Sequence, residues 1–158
     1  APKADASRGC RANPLVTPYL YLCDNPETVL YEVRASYLDE LSIGTFQLKK
    51  VKSFVNIVDF TEDTPLFQPE IIRETIVAKL LRDMISRDLY KPMRRYDSEI
   101  EYIPTLFICE LIRIYTGASG IRFASSLHPK GKNIVIFDQE LMMCSHVELK
   151  KVTSVQLR

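Results

Sequence analysis

Arg11, Tyr21 and Glu32 bring a guanidinium, a phenol and a carboxylate into three adjoining segments of the chain. Arg11 lies in a turn with Asn13 and Pro14, and Tyr21 closes a short apolar run. Glu32 follows on a helix that opens at Asp24-Asn25-Pro26-Glu27. A guanidinium offers phosphate oxygens a planar fork of donors. An aromatic ring can stack on a flat heterocycle while its hydroxyl bonds a sugar. A carboxylate stabilises positive charge as it develops. Such a set suits an anionic ligand that carries a cationic ring.

Each residue also has a plainer reading. Arg11 fits a surface ion pair, which contributes little. Tyr21 fits a core aromatic, and Tyr19 competes with it because both leave the same strand face. Glu32 fits an exposed helical glutamate beside Arg34, although Tyr31 and Val33 flank it. Thr28 shares a helix face with Glu32 at i, i+4, so its hydroxyl can meet a ligand or its own backbone. Ser125 and Ser126 follow the apolar run Gly120–Ala124, and strand alternation sends them to opposite faces. No base accompanies them, since His128 stands alone in the sequence, so a positioning role suits them better than nucleophilic attack.

The stretch from Arg8 to Arg34 resembles the RES-domain family, named for its arginine, glutamate and serine. Tyr21-Leu22-Cys23-Asp24-Asn25-Pro26-Glu27-Thr28 follows one family block, and Gly9-Cys10-Arg11-Ala12-Asn13 follows another with one extra residue. Further blocks come in the family's order at Glu101–Thr105, Gly120–Ser126 and Asn133–Phe137. The resemblance implies an α+β fold, a twisted mixed sheet with packed helices, similar to ADP-ribosyltransferases. It implies a toxin of a toxin–antitoxin system that consumes NAD by hydrolysis, phosphorolysis or ADP-ribosyl transfer, restrained by an Xre-type antitoxin. All three outcomes begin with departure of nicotinamide through an oxocarbenium-like transition state. The leaving group is already a pyridinium and needs no general acid, so the protein must grip pyrophosphate, clamp ribose and stabilise growing positive charge.

Carried onto this chain, the resemblance makes Glu32, Arg11 and Tyr21 catalytic, and Arg11, Asn13, Tyr21, Thr28, Ser125 and Ser126 NAD-binding. NAD is then the substrate, with no separate cofactor and no metal. Two departures stand out. Leu106 follows Pro104-Thr105 where the family commonly has glutamine, and no Tyr/Phe-Arg segment precedes Arg11, although Arg8 offers a partial replacement. The expectation is one RES-like domain over residues 1–158, lacking the family's N-terminal segment. Both departures favour the alternative of a catalytically silent module that binds NAD or ADP-ribose within a longer protein.

Lys and Arg number 21 against 20 Asp and Glu, a balance that gives no electrostatic footprint for nucleic acid or an anionic membrane. Cys10, Cys23, Cys109 and Cys144 contain no C-x-x-C pair and are too sparse for a disulfide scaffold. Free thiols in a reducing cytoplasm are expected. His128 to Asn133 lacks Walker spacing, and no G-x-G-x-x-G is present, which argues against both nucleotide loops.

The elements that must hold these residues follow from periodicity and caps. A buried strand is expected over residues 18–23, then a helix capped by Asp24 or Asn25, with Pro26 at its first position and Val29, Leu30 and Val33 as its apolar face. Residues 42–48 and 52–59 read as a hairpin. Helices are expected from Gln68 to about Asp88 and from Thr105 to Tyr115, the second ended by Gly117. Strands follow at 120–124 and 133–138 around a turn at His128–Lys132, with a last strand near 147–156.

Overall fold

The computed structural model describes residues 19–50, 54–62, 72–90 and 103–154. In chain order these form β1 (Leu20–Cys23), α1 (Pro26–Glu32), β2 (Glu40–Leu48), β3 (Ile57–Asp59), α2 (Ile72–Tyr90), α3 (Ile103–Thr116), β4 (Gly120–Ala124), β5 (Lys132–Ile136) and β6 (Met142–Lys151). The fold is α+β. A four-stranded mixed sheet has the order β1-β5-β4-β3, and β2 and β6 form a separate two-stranded antiparallel ribbon. Within the larger sheet β5 lies antiparallel to both neighbours, while β3 runs parallel to β4.

Alternation along β4 and β5 explains the core. Ile121 and Phe123 leave one face of β4, and Val135 leaves the matching face of β5, directly opposite Ile121. These residues pack with Tyr19, Phe137, Leu89 of α2 and Cys109 of α3. The Tyr19 hydroxyl donates to the Glu110 carboxylate, tying α3 to the start of β1. Burial, reinforced by Glu110, pushes the Tyr19 phenol above its ordinary range. Tyr19 is therefore the core aromatic of its strand face, which leaves Tyr21 for another role.

Two expectations change here. The stretches 42–48 and 52–59 do not form a hairpin, because β2 pairs with β6 and β3 pairs with β4. Periodicity marks a strand but does not name its partner, and β3 keeps only three residues in register. The last strand begins at Met142, earlier than its apolar pattern suggests, because a 3-10 turn at Gln139–Leu141 leads straight into the ribbon. Gly117 does end α3, at φ 63, a left-handed conformation in which glycine lacks the Cβ penalty.

At the β3–β4 edge Arg122 pairs with the Asp59 carboxylate. Asp59 Oδ1 also accepts the backbone N–H and the hydroxyl of Thr61, each at 2.7 Å. Burial would raise the Asp59 pKa, but hydrogen bonds from Arg122 and Thr61 outweigh it, and the carboxyl sits below its ordinary value. A carboxyl depressed in the folded state stabilises the fold above its unfolded pKa, about 3.9, and loses that contribution as pH falls through the folded value. Urea midpoints of wild type should thus fall more steeply than those of Asp59→Asn as pH drops below about 4. Parallel curves for the two proteins would deny Asp59 this role.

Candidate functional site

The site is assembled where α1 meets the turn between β4 and β5. The Asn25 side chain accepts the Thr28 N–H at 2.8 Å and Pro26 occupies the first turn, so the helix starts directly after β1. Asp24 clips this start to the sheet. Its N–H donates to the Lys132 carbonyl at 3.0 Å, and its Oδ1 accepts the Lys132 N–H at 3.1 Å.

The face that α1 turns inward is its polar one. Thr28 is fully buried, whereas Val33 is exposed. Of the expected apolar face, Val29 and Leu30 are half-buried and only Val33 is exposed, so the deepest burial on α1 falls on a polar residue. The physical reason is the ligand set around Thr28, whose Oγ1 lies 2.9 Å from His128 Nδ1 and 3.1 Å from Asn25 Oδ1. Gly131 makes the approach possible, because a Cβ there would lie 2.4 Å from Thr28 Oγ1.

One turn later Glu32 emerges on the same side. Its Oε1 accepts the Ser125 hydroxyl at 2.7 Å and the Asn133 side-chain amide at 2.8 Å. Among the described residues no hydrogen bond reaches Oε2. The other end of the Asn133 amide accepts from the Cys23 thiol at 3.4 Å, which fixes its orientation. Ser125 Oγ in turn accepts the backbone N–H groups of Leu127 at 3.2 Å and His128 at 3.0 Å. Its proton is committed to Glu32 and its lone pairs to the turn, so Ser125 orients the carboxylate. It is not poised as a nucleophile.

The neighbouring groups reinforce this frame. The rings of Tyr31 and His128 stack with centroids 4.9 Å apart and planes 5° from parallel. Glu27 Oε1 lies 3.9 Å from His128 Nε2. Burial, with the nearby carboxylates of Glu32 and Asp24, pushes the Cys23 thiol up to about 11. At neutral pH Cys23 is therefore a protonated donor and a poor nucleophile. Among the described residues no cluster of three or more His, Cys, Asp or Glu could hold a metal ion.

Of the residues singled out in the sequence, Glu32, Thr28 and Ser125 converge here. Ser125 is buried and bonded to Glu32, while Ser126 is half-buried and stands outside that contact. Tyr21 is exposed and lies opposite Val135, two residues before Cys23. Alternation therefore places it on the sheet face of Cys23 and Asn133. Arg11 and Asn13 lie outside the described residues. A family model described as the RES domain matches residues 2–156.

The chain belongs to the RES domain family. No curated protein and no solved structure matches it. Four residues of the candidate site were not singled out from the sequence, namely Asn133, His128, Tyr31 and Cys23. Asn133 opens one of the family-like blocks, and the register of β1 and β5 places it opposite Cys23. His128 does not stand alone as its sequence context suggests, because the β4–β5 turn folds it onto α1.

Ser125→Ala removes one donor to Glu32 and the acceptor for two backbone N–H groups. Leaving buried donors unsatisfied costs on the order of 1–3 kcal/mol, so the urea midpoint should fall. Restoration of that midpoint by Ser125→Thr, which keeps the hydroxyl, would assign the loss to the bonds. An unchanged midpoint in the alanine variant would remove Ser125 from the frame.

Proposed function

We propose that this RES domain cleaves the nicotinamide–ribose bond of NAD, as the toxin of a toxin–antitoxin pair. The observation that carries this reading is the state of Glu32. Two donors hold one carboxylate oxygen, and the other has no hydrogen bond among the described residues. A carboxylate held in place by two donors suits a reaction whose ring oxygen and anomeric carbon gain positive charge, as in glycoside hydrolysis. Tyr21 is exposed on the sheet face of Cys23 and Asn133, where its ring can stack on nicotinamide or its hydroxyl can bond ribose. Arg11 and Asn13 grip the pyrophosphate. Water, phosphate or a protein side chain accepts the ADP-ribosyl group, and an Xre-type antitoxin covers the site.

Incubation with NAD, with and without phosphate, tests the reading. Nicotinamide release with ADP-ribose marks a glycohydrolase, a phosphorylated product marks a phosphorylase, and labelled protein marks a transferase. Bound NAD with no nicotinamide release would replace this reading with the silent binding module that Leu106 favours.

Arg11 gives a second test. Arg11→Ala and Arg11→Lys should both weaken NAD binding, by on the order of 1.5–3 kcal/mol for the alanine variant, because lysine keeps the charge and loses the fork. Calorimetric titration of NAD into the three proteins separates the cases. Wild-type affinity in the lysine variant would remove Arg11 from the site.

A further inference from the structure

Helix α2 has more apolar surface than its own fold uses. Its inner side docks on the sheet through Ile85 and Leu89, and Arg82 donates to the Asp59 carbonyl. Yet Val77, Leu80, Leu81 and Met84 are 59%, 58%, 56% and 64% exposed. These four occupy positions i, i+3, i+4 and i+7, the cluster through which one helix packs on another. A helix that is apolar on both sides is normally buried on both. The outer cluster therefore calls for a partner.

The charges around the cluster identify that partner. About the midpoint between Leu80 and Leu81, Val77 mirrors Met84, Arg73 mirrors Asp88, and Glu74 mirrors Arg87. All four charged residues are exposed, and none forms an ion pair among the described residues. The one like-charged mirror pair, Lys79 and Arg82, is half-buried, with Arg82 turned onto the Asp59 carbonyl, and exposed Asp83 mirrors the uncharged Ala78. A helix whose apolar cluster is symmetric and whose flanking charges reverse sign complements its own antiparallel copy. A two-fold axis through the cluster brings each such pair together twice.

We propose that α2 is a self-association surface, on which a second copy of this chain docks antiparallel through Val77, Leu80, Leu81 and Met84, with Arg73 of each copy facing Asp88 of the other. The contact is independent of NAD chemistry.

Sedimentation velocity of the whole chain tests it without any ligand. Wild type should sediment with twice the mass of the chain, and Leu80→Lys, which buries a charge at the axis, should weaken association roughly 100-fold or more. A wild-type monomer, or a Leu80→Lys variant that stays dimeric, would overturn the proposal. Charge reversals test the antiparallel arrangement at exposed positions that the fold tolerates. Arg73→Asp alone and Asp88→Arg alone should each weaken the dimer roughly tenfold, since each turns two attractions into repulsions. An equimolar mixture of the two variants restores both attractions and should associate about as tightly as wild type. A mixture no tighter than the separate variants would overturn the antiparallel docking.

Discussion

Glu32→Gln is expected to cut NAD turnover by roughly 10²-fold or more, about 2.7 kcal/mol of lost transition-state stabilisation, while NAD binding stays nearly intact. The amide keeps an oxygen for the Ser125 and Asn133 donors, which reach Oε1 at 2.7 and 2.8 Å. Side-chain position is thus preserved and only charge is removed. Ground-state NAD has little positive charge on the nicotinamide ribose, whereas the transition state has much, so the loss falls on the chemical step. Glu32→Asp makes the complementary change, keeping the charge and shortening the reach to both donors. It should restore part of the turnover only if charge outweighs placement. Nicotinamide release and calorimetric NAD binding, measured on all three proteins, decide the matter. Equal losses in binding and turnover for the glutamine variant would make Glu32 an ordinary substrate contact.

The residues of this frame were unequally legible in the sequence. Glu32 and Thr28 lie one helical turn apart, and that spacing was enough to place them on one face. Helix caps were equally readable, because Asn25, Pro26 and Gly117 act through local backbone chemistry. The inward turn of that polar face was not readable. Hydrophobic periodicity assumes that apolar residues face the core, and here a buried threonine meets a histidine and a glycine from a turn far along the chain. Strand partners failed for the same reason. The stretches 42–48 and 52–59 are adjacent in sequence, but β2 finds its complement in β6. Asn133 shows the limit most clearly. It bonds Glu32 and Cys23 at once, and neither contact has any trace in local spacing.

Gly131 is the position where the smallest change should do the most structural damage. A methyl group there would stand 2.4 Å from Thr28 Oγ1 and 2.7 Å from Thr28 Cγ2. Thr28 is fully buried and β-branched, so its two branches leave few χ1 positions that clear the new methyl without meeting other packed atoms. Either the β4–β5 turn or α1 must shift. Gly131→Ala is therefore expected to cost about 3 kcal/mol, the upper end of the usual overpacking range. The same shift pulls Ser125 away from Glu32, because Gly131 and Ser125 belong to one turn closed by the Ser125 N–H to the Gly131 carbonyl at 2.8 Å. NAD turnover should then fall along with stability. The cause can be isolated by removing the obstacle. Thr28→Ala deletes the two atoms that the new methyl would strike hardest, and of the methyl's three nearest neighbours leaves His128 Nδ1, at 2.9 Å on a side-chain ring. Urea unfolding of the double variant should match Thr28→Ala alone, so that Gly131→Ala adds little once the threonine is gone. An undiminished cost of Gly131→Ala in that background would remove the contact with α1 as the reason for glycine at this turn.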